Sequence, residues 1–203
     1  MRKKILGTDL KVSAIGLGCM GMNHAYGASA DKTEMINLIA QAVDIVCPVT
    51  AIQNRYSMMA RWHEKLFPVL EELNIGFVAF SPLANGFLSG KYNAQSVFEK
   101  NTDYRSIMPQ FQKDSYEKNQ EFLAWIQAFA EEKNAKVAQI SLAWLVDKKP
   151  YLVPIPGTRK LERLKENAGA SDILLTPEEV KKTDDMLERI PMSEVFGGTK
   201  VTK

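Results

Sequence analysis

Apolar residues in this chain fall into two kinds of pattern that alternate along it. Short, nearly continuous apolar runs occupy residues 14–21, 45–52, 76–80 and 151–155, each stopping at a Gly, Pro or polar cluster, and they read as buried strands. Between them lie stretches with helical spacing. The first, 32–43, has Met35, Ile36, Leu38, Ile39 and Val43 as apolar positions and opens on an Asp31 to Glu34 capping box. Further helices are predicted over about 61–73, 115–133 and 137–147. The last one, 177–190, has a strong start in Thr176-Pro-Glu-Glu179, with an N-cap, Pro in the first turn and an acidic capping partner. Residues 2–12 suggest a small polar hairpin, and the tail from Pro191 is predicted to be mobile.

Repetition of strand, loop and helix predicts a parallel sheet with right-handed crossovers, and places ligand loops at the strand C-terminal ends. The informative loops follow Gln53, Phe80 and Ile155. A literal G-x-G-x-x-G at Gly16, Gly18 and Gly21, with Asp44 beyond it, does not fit a Rossmann fingerprint. That motif needs its glycines in the turn that opens a helix, whereas here a polar loop, 22–30, comes next. His24 and Tyr26 in that loop could line a pocket, with ordinary loop packing as the alternative.

Composition narrows the class without naming a chemistry. The 203 residues are 45% hydrophobic and 25% charged with a formal net charge of +2, ordinary for one soluble domain or two small ones. The balance argues against a nucleic-acid surface. No apolar run approaches membrane-spanning length, and the basic start lacks a signal core. Cys19 and Cys47 read as reduced thiols in a cytoplasmic setting rather than a disulfide framework. With His24 and His63 isolated, no metal-ligand spacing occurs.

Charge placement makes residues 152–167 a candidate site. The strand ends at Pro156-Gly157, Thr158 can N-cap the next helix, and Leu161, Leu164 and Ala168 share one of its faces. Arg159, Lys160 and Arg163 then sit at the positive end of the helix dipole, where cations are disfavoured unless an anion lies nearby. A strand end, a Gly turn, a helix N-terminus and three cations suit a phosphate; a solvated basic face is the alternative. In (β/α)₈ barrels the phosphate site is often built by the loops after the last two strands. Four strand-helix units are visible here, where such a barrel has eight.

Four segments carry a family resemblance. Val12-Ser-Ala-Ile-Gly-Leu-Gly-Cys-Met-Gly-Met22 resembles the first strand of the aldo-keto reductases, and Pro48-Val-Thr-Ala-Ile-Gln-Asn-Arg-Tyr-Ser57 their sixth. Residues 76–91 resemble the seventh strand and cofactor loop, and Pro154-Ile-Pro-Gly-Thr-Arg159 with Arg163-Leu-Lys-Glu-Asn167 the eighth strand and adenosine-phosphate site. The likeness runs in two blocks, about 1–44 and 46–190. It implies an α/β chain derived from a (β/α)₈ TIM barrel, a single domain over 1–190 followed by a tail. The second to fifth strands are absent, with the join near 44–46, so the chain looks internally truncated.

What the resemblance implies for chemistry follows from what remains. The family reduces small carbonyl compounds with NADP(H), using an Asp, Tyr, Lys and His carried by the absent segment; no residue here is assigned to those roles. A cofactor site remains. Gln53 would meet the nicotinamide end and Phe80 would stack on its ring, with packing at the strand ends as the alternative for both. Ser81, Pro82, Leu83, Leu88, Ser89 and Lys91 would wrap the pyrophosphate. Gly157, Thr158, Arg159 and Arg163 would hold the 2′-phosphate, and Glu166 and Asn167 the adenine. Asn85 is a departure, since many relatives carry Arg there. The expected function is that of an impaired NADP(H)-dependent oxidoreductase. The alternative is a non-catalytic NADP(H)-binding module or the remnant of an internally deleted gene. Exposed strand edges predict a homodimer.

Overall fold

The computed structural model describes residues 3–6, 10–13, 31–45 and 49–196. The chain divides into two compact units, Met1–Thr50 and Ala51–Lys203, each taken here by itself. In the first, β1 (Lys3–Leu6) and β2 (Leu10–Ser13) pair antiparallel, with Lys3 opposite Ser13, as the hairpin reading anticipates. Helix α1 (Lys32–Ile45) starts where the capping box predicts: the Glu34 amide donates to Asp31 Oδ1 at 2.9 Å. The expected strand at 14–21, with Cys19 and the loop bearing His24 and Tyr26, lies outside the described residues, as does Cys47.

The second unit is built on a parallel sheet of β3 (Ala51–Arg55), β4 (Gly76–Phe80) and β5 (Leu152–Pro154), in that spatial order. Gln53 stands opposite Val78, and Val78 opposite Val153. Period-two alternation sends Phe77, Ala79 and Leu152 to one face, where all three are buried, and α5 (Val137–Lys148) packs against β5. Gln53, Arg55, Val78, Phe80 and Val153 take the other face and are half-buried or exposed. Among the described residues the sheet does not close. It is a segment of the predicted barrel, with the strands that resemble the sixth, seventh and eighth side by side.

The strand expected at 45–52 is displaced. Pairing with β4 begins at Ala51 and runs to Arg55 opposite Phe80, so the polar Gln53, Asn54 and Arg55 belong to the strand rather than to the loop after it. An apolar run misplaces such a strand because only one of its faces meets the core.

The remaining elements are α2 (Phe67–Glu72), α3 (Lys113–Lys118), α4 (Gln120–Glu132), α6 (Leu161–Ala168) and α7 (Pro177–Arg189). The helix predicted over 61–73 is a 3-10 turn, Glu64–Leu66, followed by α2 with Pro68 in its first turn. The helix predicted over 115–133 is broken at Asn119. That residue is fully buried, and its side chain is committed to Ser193 instead of continuing or capping a helix.

Helix α7 has the predicted capping box: Thr176 Oγ1 accepts from the Glu179 amide, and Glu179 Oε2 accepts from the Thr176 amide. Beyond it, where a mobile tail is expected, residues 191–196 make contacts with the rest of the unit. Val195 is buried, Ser193 is paired with Asn119, and the Phe196 amide donates to Gln110 Oε1 at 2.9 Å. Aromatic rings centre the core. Tyr56 stacks on Trp144 at 5.6 Å and meets Phe67 and Phe77 edge-on. No described helix is long and apolar enough to cross a membrane.

Candidate functional site

The segment after β4 turns through backbone conformations that side chains seldom adopt. Ser81, Ala84 and Asn85 have φ of 52°, 48° and 60°, and Gly86 and Gly90 are also left-handed. The turns return the chain over the sheet end, so that Pro82, Ala84, Phe87 and Leu88 are buried while Ser81, Leu83 and Ser89 are half-buried and Lys91 is exposed. Leu88 is a fully buried core side chain. Ser89 Oγ accepts from the Lys91 amide, fixing the turn that presents the lysine.

Helix α6 supplies the other half, in a different way from the one its spacing suggests. Thr158 does not cap it: Thr158 Oγ1 accepts from the Lys160 amide at 3.1 Å, and the helix starts at Leu161 with Lys160 at the N-cap and no side-chain cap bond. Arg159 and Lys160 thus precede the helix. Leu161 and Leu164 face solvent, 66% and 54% exposed, whereas Arg163, Glu166 and Asn167 are turned toward the protein. Arg163 Nη1 donates to Glu166 Oε1 at 2.5 Å.

These two halves meet across a cleft of about 760 Å³, which brings Ser89, Gly90 and Lys91 together with Arg163 and Glu166. Its floor was not legible beforehand: Asn134, Lys136, Val137 and Gln139 come from the turn between α4 and α5 and from the first turn of α5. The local signal was Asn134, which ends α4 in the left-handed region at φ 49°. The Lys136 amide donates to Gln139 Oε1 at 3.0 Å, and the amide end of α5 opens at the cleft. Three cations (Lys91, Lys136 and Arg163) and a helix N-terminus against two carboxylates (Glu131 and Glu166) suit a phosphorylated ligand with a polar, hydrogen-bonding body.

The other expected residues lie apart from the cleft lining. Gly157, Thr158 and Arg159 form an exposed turn, and Asn167 is half-buried at the end of α6. Asp103 is held below the usual carboxylate range by its hydrogen bonds from Arg105, with a further contribution from the Arg159 charge. Gln53 is exposed and Phe80 half-buried on the open face of the sheet. The Arg55 guanidinium lies over the Phe80 ring, 5.0 Å from its centre.

A tyrosine, a lysine and two carboxylates do converge elsewhere. Tyr56 Oη donates to Glu64 Oε1 at 2.5 Å, and Lys148 Nζ lies 3.2 Å from Glu64 and 2.7 Å from Asp184. The residue types are those of carbonyl acid–base chemistry, but Tyr56 is 0% exposed, and burial together with Glu64 pushes its phenol far up. A group so enclosed reaches no substrate. The cluster instead ties the Glu64 turn to α5 and α7. Among the described residues, no group of His, Cys, Asp and Glu could hold a metal ion.

A parallel α/β sheet with its ligand loops at the strand C-terminal ends and a phosphate-suited cleft beside them is a barrel-derived arrangement. The profile of the Aldo/keto reductase family matches residues 21–188, and the chain belongs to that family. It is 37% identical over 156 residues to aldo-keto reductase str7 of Strobilurus tenacellus, covering 75% of this chain and 45% of the relative. Its fold is similar to that of a glycerol dehydrogenase from Gluconobacter oxydans, with a TM-score of 0.68 and 28% identity over 85% of this chain and 51% of the other. An aldo-keto reductase from Klebsiella pneumoniae solved in complex with NADPH shares the fold at a TM-score of 0.52 and 23% identity, over 78% and 46%. The chain spans about half the length of the relatives it matches.

Proposed function

We propose that this chain binds NADP(H) through the cleft between Lys91 and Arg163, and that its carbonyl reduction is impaired. The observation carrying the first half is that Ser89 and Lys91 on one segment, and Arg163 and Glu166 on another, are brought to one cleft. Lys91 and Lys136 would meet phosphate oxygens as point charges, and Arg163, released from Glu166, would bind the 2′-phosphate with its planar fork. The Klebsiella relative solved with NADPH supports the choice of dinucleotide. When bound, the cofactor would supply hydride; Gln53 and Phe80, on the open sheet face, are the residues proposed to position its nicotinamide.

The second half rests on the two tyrosine–lysine–carboxylate clusters among the described residues: Tyr56, Lys148 and Glu64 are sealed in the core, while Tyr151, Lys149 and Glu71 meet at the N-terminal end of β5, away from the ligand loops, where burial and Glu71 raise the Tyr151 phenol to about 12. Loss of a working general acid typically removes about 10²–10⁴-fold in rate. A non-catalytic NADP(H)-binding module is the limiting form of this reading. Fluorescence titration with NADPH and NADH, beside a carbonyl-reduction assay, tests it. Wild type is expected to prefer NADPH, and Arg163→Glu to weaken NADPH at least tenfold while leaving NADH nearly unchanged. Equal losses for both nucleotides would contradict the 2′-phosphate assignment, and turnover at the rate of an intact reductase would contradict the impairment.

Two further elements belong to the same proposal. Exposed strand edges, including β3, favour a homodimer that completes the sheet, and a compact monomer in sedimentation analysis would exclude it. The join near 44–46 and the reduced state of Cys19 and Cys47 in a cytoplasmic setting complete the picture.

A further inference from the structure

Half-buried cations in this chain are paired with carboxylates, with one exception among the described residues. Arg61 pairs with Glu64, Arg105 with Asp103, Lys133 with Glu179, Lys148 with Glu64 and Asp184, Lys149 with Glu71, and Arg163 with Glu166. Arg55 is equally withdrawn from water, and burial lowers its pKa from the usual arginine value, yet no described carboxylate lies within ion-pair distance of it. Its contacts among the described residues are neutral. Nη1 donates to Asn85 Oδ1 at 3.1 Å, and Cζ lies 5.0 Å from the Phe80 ring centre and 5.7 Å from that of Phe196. Aromatic faces favour the charge but accept few of its five N–H donors.

The position is held, and it is held at a place where ligands arrive. Arg55 is the last residue of β3 and stands opposite Phe80, the last of β4, at the C-terminal ends of a parallel sheet. Asn85, in the left-handed region, also accepts from the fully buried Gln110 at 3.4 Å, so the acceptor that aims the guanidinium is itself fixed. Anchoring of the tail does not need the charge, because the Phe196 amide is already bound by Gln110. A guanidinium taken half out of water with no counter-ion among the described residues is at a cost that an incoming anion would offset.

We propose that Arg55 is an oxyanion-binding residue, taking a carboxylate or phosphate group of a ligand at the strand ends, with Phe80 and Phe196 as the apolar walls. None of its partners lines the Lys91–Arg163 cleft, but Phe80 is shared with the proposed nicotinamide position, so the Arg163→Gln arm of the test separates this site from the dinucleotide cleft.

The test titrates the full chain with succinate and, separately, with inorganic pyrophosphate, by calorimetry and by the NMR signal of the Arg55 side-chain Nε–H. Wild type is expected to bind at least one probe with a shift of that signal. Arg55→Gln should weaken it at least tenfold, and Arg163→Gln should leave it unchanged. Loss for succinate identifies a carboxylate ligand, and loss for pyrophosphate identifies nucleotide phosphates. Binding of neither probe by wild type, an unmoved Arg55 signal at saturation, or a loss confined to Arg163→Gln overturns the proposal. If Arg55→Gln fails to fold, the wild-type signal decides, and Arg55→Lys, which keeps the charge without the fork, is expected to weaken binding severalfold.

Discussion

Asn119 and Ser193, 74 positions apart, hold each other through two hydrogen bonds: Asn119 Nδ2 donates to Ser193 Oγ at 2.8 Å, and the Ser193 amide donates to Asn119 Oδ1 at 2.9 Å. The pair spans the break between α3 and α4 and the strap that follows α7. Asn119 is fully buried, so removing its amide leaves a space in the interior and strips the half-buried Ser193 N–H of its acceptor. Asn119→Ala is expected to cost about 2 kcal/mol in urea unfolding, and Ser193→Ala, which keeps the backbone bond, about 1 kcal/mol. Proteolysis near 191–196 should quicken in the first variant more than in the second. Equal, negligible effects would mean that the strap is held by Val195 packing and the Phe196–Gln110 bond without the Asn119–Ser193 pair.

Glu64 predicts a stability that depends on acid. Burial pushes its carboxyl up, but hydrogen bonds from Arg61 and Tyr56 and the nearby Lys148 charge outweigh that effect and hold it below the ordinary value. A carboxyl whose folded pKa is depressed contributes stability above its unfolded pKa, about 4.3, and loses that contribution as pH falls through the folded value. Glu64→Gln should therefore be less stable than wild type by about 2 kcal/mol at pH 7. The gap should narrow on passing below about pH 4. Urea midpoints at the two pH values measure it, and a gap unchanged by pH would contradict the linkage.

Gly90 joins the segment after β4 to the start of α5 with φ of 68°. An added Cβ would stand 3.4 Å from Val137 Cβ, an ordinary contact, so the penalty lies in the backbone and not in a clash. Gly90→Ala should cost about 1 kcal/mol, and Gly90→Asn less, because Asn tolerates this region. Adding Val137→Ala to Gly90→Ala should not restore the loss. Recovery in that double variant, in thermal or urea unfolding, would show that steric contact was the cause.

Reading the sequence found what alternation and capping control. The strand at 76–80 and the start of α7 follow from local pattern: Phe77 and Ala79 point to the core, and Thr176 meets Glu179. Of the cations at 159–163, Arg163 lines the cleft. What failed depended on partners far away in the chain. Leu161 and Leu164 look like the inner face of a helix, yet the neighbours on the inner side are the polar Lys91, Gln139 and their cleft, and Arg163 and Glu166 turn toward those. Gln53 and Arg55 look like loop residues because their face of the sheet lacks a hydrophobic cover. Asn119 reads as mid-helix until Ser193 is brought beside it.

Helix α6 turns its leucines outward, buries no residue fully and keeps its Arg163–Glu166 ion pair within itself, so little apolar burial attaches it. Its detachment therefore exposes little new hydrocarbon to water, and among the helices of its unit it opens at the smallest cost. Amide hydrogens of Leu164 to Ala168 should exchange early, and slow when an anion occupies the cleft. That helix is then a built-in reporter of occupancy, legible by deuterium uptake without any turnover to follow.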